Sequence, residues 1–391
     1  MNKNRRKRNT NRRKRNTLVY LFLGVAFVIV AICITYFVRY ETGRVRVTTE
    51  LADGSFFSGY WRMGEPFGAG VLVTKDGELV EGNWTDGKLD SGLVVARDYT
   101  YEGKLENYLP NGYGSCLYKN GVRYYGFWKK GIKEGLGKLL TPRGELAFGI
   151  WVNGDLPRVP GQLYEPGNHV YGIDVSRHQD KIDWERLVLF ADSTGSVNGK
   201  LKESVYLQPV LFAVVKSTEG ADFTDPEHKR NMEQARRCGI VAGAYHFLRL
   251  SDIDEQIKNF INNSDLQPGD LPPVLDMELS NADMKRYHKK AVAYAHKWLD
   301  AMEKHYGVRP MLYTYDTYYN DYLAGQGFDG YDFFIARYNP ETMPRVPHLE
   351  IWQYSEHGRA GGIKKFVDLD FFFGNYANFE KFVREKGIKK N

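Results

Sequence analysis

Cysteine is scarce: the 391 residues hold three, Cys33, Cys116 and Cys238. A disulfide-stapled fold carries more of them at closer spacing, so Cys116 and Cys238 are expected as buried thiols. Acid is missing from the first 16 residues, which contain nine of the 54 Lys and Arg. Taking those nine off the net charge of +6 leaves −3 for the rest of the chain. The basicity is therefore a local tail, and nucleic-acid binding is not expected of the folded part. Charge is missing altogether from Thr17–Val38, a run rich in Leu, Val, Ile, Phe and Ala. As a helix, its 22 residues would rise about 33 Å, against a hydrocarbon core of roughly 30 Å. The run ends Cys33-Ile34-Thr35-Tyr36-Phe37-Val38, without the small-residue pattern of a cleavage site. An uncleaved single-pass membrane anchor is expected over 17–38. The basic tail 1–16 would then be cytoplasmic, and everything after Arg39 periplasmic or at the cell surface.

Aromatic residues are plentiful, at 14% of the chain. That excludes disorder over most of the length and provides rings for flat ligands such as sugars. Some of them recur with a period. The pattern aromatic-x-Gly-x-Trp is found at Phe57–Trp61, Val80–Trp84, Tyr101–Leu105, Tyr124–Trp128 and Ala147–Trp151, with Val80 and Ala147 as looser first positions and Leu105 in place of Trp. The glycines sit at 59, 82, 103, 126 and 149, a spacing of 21 to 23. Turn glycines follow at Gly64, Gly87 and Gly131, and then a second short apolar run such as Gly70-Val71-Leu72-Val73. Each copy reads as one β-hairpin, and single hairpins are marginal, so the copies must stack into a continuous sheet. The pattern resembles MORN repeats. On their role two readings stay open: a rigid spacer, or a surface for a lipid, glycan or protein partner.

From residue 170 strands and helices alternate. Short β runs are predicted at Val170–Val175, Val210–Lys216, Ile240–Phe247, Pro273–Leu279 and Pro310–Tyr315. Helices are predicted at Asn231–Cys238, Asp252–Asn263 and Met284–Tyr306. Such alternation implies a parallel sheet, and about 220 residues suit a closed β/α barrel with its site at the C-terminal strand ends. The acids there are Asp174, the pair Asp276 and Glu278, and Asp368 with Asp370. In a strand, residues i and i+2 share a face, so Asp276 and Glu278 would sit together with Leu275, Met277 and Leu279 turned toward the helices. Two carboxylates on one partly buried face repel, and one pKa rises. One proton donor and one anion is what glycoside hydrolysis needs. Alone, Asp-x-Glu also fits a solvated strand end or a metal site.

It does not stand alone. The ordered set is Tyr171-Gly172-Ile173-Asp174-Val175-Ser176 with His178-Gln179; Phe212–Gly220 leading to Asp225-Pro226; Gly243-Ala244-Tyr245-His246-Phe247; Pro272–Glu278; Ile351-Trp352-Gln353-Tyr354; and Val367-Asp368-Leu369-Asp370. Over about 170–376 it closely resembles the glycoside hydrolase family 25 lysozymes, the Chalaropsis-type muramidases. The resemblance implies a modified TIM-like β/α barrel with fewer helices than strands. It implies a muramidase that cuts the β-1,4 bonds between N-acetylmuramic acid and N-acetylglucosamine in peptidoglycan, with no cofactor and no metal. Glu278 would be the general acid. Asp276 would orient and stabilise the substrate's own 2-acetamido group as it attacks the anomeric carbon with retention. Asp174 and Asp368 would hold charge and hydrogen bonds around that pair. Tyr245, Tyr313, Tyr338 and Trp352 would line the groove, and Gln353, His178, His246 and Lys216 belong to the same motifs as expected substrate contacts. Two features depart from the family pattern: an insertion at 192–208, and Asp370 where Asn is frequent, with Asp368 ranked ahead of it as the site acid.

The expected organisation is thus a basic tail (1–16), a transmembrane helix (17–38), a linker (39–54), an all-β hairpin repeat sheet (55–154), a linker (155–169) and an α/β catalytic barrel (170–385). The repeats are expected to fold beside the barrel without completing its site. The expected partners are peptidoglycan, the membrane, and a protein or lipid for the repeats. The competing readings are a non-catalytic peptidoglycan-binding scaffold and a hydrolase of another N-acetylated glycan such as chitin.

Overall fold

The computed structural model describes residues 20, 22–38, 45–157, 168–191, 206–339 and 342–389. The basic tail 1–16, most of the linker 155–169 and most of the 192–208 insertion lie outside them. No helix among the described residues is long and apolar enough to cross a membrane. The expected transmembrane helix, the membrane partner and the single-pass location with an extracytoplasmic catalytic domain are corrected accordingly.

The chain divides into two compact units, 1–110 and 111–391. In the first, strands β1 (Val45–Glu50), β2 (Phe56–Arg62), β3 (Glu65–Val73), β4 (Leu79–Trp84), β5 (Ser91–Val95) and β6 (Tyr99–Glu106) pair antiparallel, each with the next. Register aligns the repeat glycines across the strands: Gly59 faces Gly70, Gly70 faces Gly82, and Gly82 faces Gly92. The reason is steric. A Cβ on Gly59 would lie 2.6 Å from the Phe57 ring, which folds over the glycine row. Trp84, from the next copy, meets that ring edge-on at 5.1 Å. Aromatic-x-Gly-x-Trp is thus a packing unit: one copy's ring covers the glycines, and a tryptophan of the next covers the ring.

In the second unit, β7 (Leu109–Tyr118), β8 (Arg123–Lys129), β9 (Ile132–Leu140) and β10 (Leu146–Trp151) repeat the arrangement. Tyr124 covers the glycines there, flanked by Trp128 at 5.1 Å and Trp151 at 5.3 Å. The same unit contains an eight-stranded barrel. Strands β11 (His169–Val175), β12 (Phe212–Glu219), β13 (Val241–Phe247), β14 (Val274–Asp276), β15 (Met311–Tyr315), β16 (Asp332–Ala336) and β17 (Leu349–Gly358) pair parallel in order. The last strand, β18 (Val367–Phe373), is antiparallel to both β17 and β11 and closes the ring. The sheet is therefore not wholly parallel, because the short β17–β18 connection allows only a hairpin.

Helices α1 (His228–Arg237), α2 (Ile253–Asn263) and α3 (Asn281–Tyr306) follow β12, β13 and β14 and cover the outside of those strands. Their ends obey local chemistry. Asp252 caps α2 by accepting from the Asp254 and Glu255 amides, Ser280 caps α3, and Gly307 ends α3 at φ 68°. The later crossovers carry only short helical turns or loops, which leaves fewer helices than strands. Inside the barrel Phe212, Val214, Val274, Met311, Phe334 and Phe372 form a separate core. Helix α4 (Tyr376–Lys386) plugs it with Phe379 and Phe382, both within 5.5 Å of core rings. That plug leaves the opposite end, at the C-terminal ends of the parallel strands, for a site.

The last hairpins share the barrel's packing. Tyr113 belongs to the core between barrel sheet and helices, and Leu146 packs against the interior core. Lys138 is buried on the barrel, its Nζ donating to the carbonyl of Gly239 at 2.7 Å. Burial pulls its pKa down to about 8.

Candidate active site

Asp174, near the end of β11, stands opposite Asp368 on β18. Gln353 of β17 donates from Nε2 to Asp174 Oδ2 at 2.5 Å, while its Oε1 accepts from Tyr313 Oη at 2.9 Å and Tyr338 Oη at 2.8 Å. The two tyrosines thus fix the amide, and the amide fixes the carboxylate. Burial raises the Asp174 pKa to about 6, against the hydrogen bonds from Gln353 and Asp368 that lower it. Burial and then the charge of Asp174 raise Asp368 to about 9. The hydrogen bond between them favours the ionised form of Asp174 and the protonated form of Asp368, so Asp368 holds the proton and donates it. Asp370 lies fully buried beneath, raised well above the carboxylate range by burial and then by Asp174. It too is held neutral, and neither of its oxygens has a hydrogen-bond partner among the described residues.

β14 ends at Asp276, and Glu278 follows just beyond the strand, so the predicted strand Pro273–Leu279 is shortened at both ends. The alternation persists through it. Leu275, Met277 and Leu279 enter the helix-facing core, while Asp276 and Glu278 face a cavity of about 150 Å³. Burial and then the charge of Glu278 raise Asp276 well above its ordinary range, with Lys216 opposing. Its Oδ1 is buried without a hydrogen-bond partner among the described residues. Burial also raises Glu278, against a hydrogen bond from Tyr315 and the nearby Lys216 charge.

Asp174, Asp276, Glu278, Asp368, Tyr245, Tyr313 and Tyr338 all line this cavity, over a floor that includes Val214, Val274 and Phe334. Gln353 reaches the site through its bond to Asp174. Four of the expected contacts are not brought to the cavity. His246 is fully buried on the other side of β13, held by Thr218 Oγ1 at 2.7 Å and Gln256 Oε1 at 3.1 Å and stacked on Trp298. Trp352 points outward, where its Nε1 donates to the Arg337 carbonyl at 2.7 Å and its ring lies among Phe371 and Phe373. His178 is exposed on the short helical turn Arg177–Gln179. Lys216 pairs with Glu219 at 2.6 Å and acts on the acids through its charge alone. Two lining residues were not singled out from the sequence. Tyr315 was within reach, being two residues beyond Tyr313 in a predicted strand. Glu356, on the β17–β18 hairpin, carries no sequence signal of its own.

The arrangement offers a proton donor and a second carboxyl side by side, a fixed anion across from them, and four tyrosines lining the cavity. That is the equipment for acid-assisted cleavage of an acetal. The model of MORN repeats matches residues 57–78, 101–123 and 124–145, and that of glycosyl hydrolases family 25 matches residues 173–363. The chain is 34% identical over 224 residues to the uncharacterized protein YegX of Escherichia coli (strain K12), across 56% of this chain and 75% of that one. It is 29% identical to lysozyme M1 of Streptomyces globisporus (53% of this chain, 69% of that one) and 24% identical to the N,O-diacetylmuramidase of Chalaropsis sp (54% and 98%). The chain belongs to glycosyl hydrolase family 25, and it carries MORN repeats ahead of that domain.

Proposed function

We propose that the chain is a muramidase that hydrolyses the β-1,4 bond between N-acetylmuramic acid and N-acetylglucosamine in peptidoglycan, with the substrate's acetamido group as nucleophile. The observation that carries the mechanism is the bare, buried Oδ1 of Asp276 beside Glu278. An acetamido N–H is the donor this oxygen lacks. As that group attacks the anomeric carbon it becomes positively charged, and the charge draws Asp276 back to its anionic form. Glu278, raised by burial, keeps its proton for the leaving oxygen. Asp174, anchored by Gln353, holds negative charge across the cavity from the developing cation. The repeats enter this reading as a scaffold, since their glycine rows are covered by their own rings Phe57 and Tyr124. The test is a mass spectrum of purified peptidoglycan digested with the protein. Fragments with muramic acid at the reducing end support the reading. Uncut peptidoglycan favours a binding scaffold, and cleavage of chitin-oligosaccharides alone favours another glycan.

A further inference from the structure

The hairpin between β17 and β18 carries His357-Gly-Arg359-Ala-Gly-Gly-Ile-Lys364-Lys365-Phe366, four basic side chains and no acid. Beside it, the catalytic cavity is lined by carboxyl groups and no basic side chain, with Asp174 held as the anion. An anionic substituent on a glycan is therefore repelled from the cavity and attracted to this rim.

The rim is built. Phe366, 48% exposed, lies two residues before Asp368 and so about 7 Å along the chain from the cavity wall. The Arg359 guanidinium lies 4.0 Å from the centre of its ring, and the His357 ring stands at 72° to it. The Phe366 carbonyl accepts from Gln179 Nε2 at 3.1 Å, and Lys365 pairs with Asp180 at 2.7 Å. Both bonds fasten the hairpin to the turn that follows β11. Arg359 spends one donor on the Lys364 carbonyl, at 3.2 Å, and a guanidinium has five.

We propose that residues 357–366 form a glycan subsite outside the catalytic cavity, where Phe366 stacks on a pyranose face and Arg359, with Lys364, binds a carboxylate carried by the glycan. The subsite rests on the muramidase reading and names what in the substrate is recognised. Two sources can supply the carboxylate: the lactyl group of a muramic acid that carries no peptide, or, where a stem peptide has amidated that group, the peptide's own carboxylates.

The test is binding, measured in a Glu278→Gln background so that turnover does not consume the ligand. Three ligands of equal length are compared: peptide-bearing glycan strands, amidase-stripped strands that keep the lactyl carboxylate, and chito-oligosaccharides that have neither. Phe366→Ala weakens all three by about 3- to 10-fold. Arg359→Gln weakens the carboxylate-bearing strands by about 3- to 10-fold more than the chito-oligosaccharides. A loss confined to the amidase-stripped strands assigns the free lactyl carboxylate, a loss confined to the peptide-bearing strands assigns the peptide, and a loss shared by both shows that the subsite takes either carboxylate. Arg359→Lys, which keeps the charge, recovers most of the preference. Equal loss on all three ligands with Arg359→Gln, or none, overturns the proposal. If wild-type protein leaves peptidoglycan uncut while the Arg359→Gln preference persists, the hydrolytic reading fails and the subsite stands. Cleavage without the preference fails the subsite alone.

Discussion

Asp174 is an anion among neutral groups: it accepts from the Gln353 amide, and Asp368 and Asp370 beside it are held protonated. The arrangement sets a cost that depends on pH. The folded pKa of Asp370 is raised above its unfolded value of about 3.9. Its contribution to stability is thus intact below pH 4 and is lost as pH rises toward the folded pKa. Asp370→Asn keeps a neutral polar side chain of like size and removes the titration. Its melting midpoint should match wild type near pH 4 and exceed it at pH 8 by about 3–6 °C. Equal midpoints at pH 8 would mean that Asp370 does not titrate in this range. The reacting pair is separated by leaving group. Glu278→Gln should lose about 10²–10⁴ in rate on natural glycan and regain much of it on an activated aryl glycoside. Asp276→Asn should lose as much on both, since ring closure by the acetamido group still lacks its anion. Rescue of Asp276→Asn alone would exchange the two roles, and an α-anomer as first product by NMR would end the retaining mechanism. The acids could be read in the sequence because they end strands. His246 and Trp352 were misplaced because neighbouring strand residues face opposite sides: Tyr245 and His246 cannot both face the cavity, nor can Trp352 and Gln353.

At the scale of elements, the hairpins were the most legible part, since their glycine row repeats in the sequence with the same period as in the sheet. Turns at Met63-Gly64, Asp86-Gly87, Lys130-Gly131 and Asn153-Gly154 put two residues in succession at positive φ, the second a glycine. The third copy makes the same turn with Asn107 and Tyr108, at φ 50° and 63°. A tyrosine there is strained. Tyr108→Gly should therefore stabilise the protein by about 0.5–1 kcal/mol, read as a rise in the urea midpoint, and a fall would show that the ring's packing outweighs the strain. The antiparallel closing strand was harder to foresee, because a hairpin and a crossover differ only in the connection and not in the strand's own pattern. The apolar run at 17–38 was read as an anchor from its composition alone, whereas no helix among the described residues is long and apolar enough to cross a membrane.

At the scale of the molecule, residues 111–391 behave as one body in which hairpins and barrel share buried side chains. The repeats were expected to fold beside the barrel, and the packing of Tyr113, Lys138 and Leu146 changes what a truncation should do. A fragment 111–391 should melt cooperatively. A fragment 165–391 strips the cover from Cys238 and Ile240, and its midpoint should fall by about 5 °C or more, with activity per folded molecule retained because no described residue of 111–157 lines the cavity. Equal midpoints in calorimetry would show that the shared packing contributes little.

The bond between Lys138 and Gly239 joins residues 101 positions apart in the chain. During synthesis at about 5–20 residues per second, the hairpin face that bears Lys138 waits roughly 5–20 seconds before its landing site leaves the ribosome. For that interval Tyr125 and Leu136 beside it are uncovered, and a charged ammonium among them disfavours association of that face with another nascent chain. The charge that is costly in the finished protein protects the half-made one.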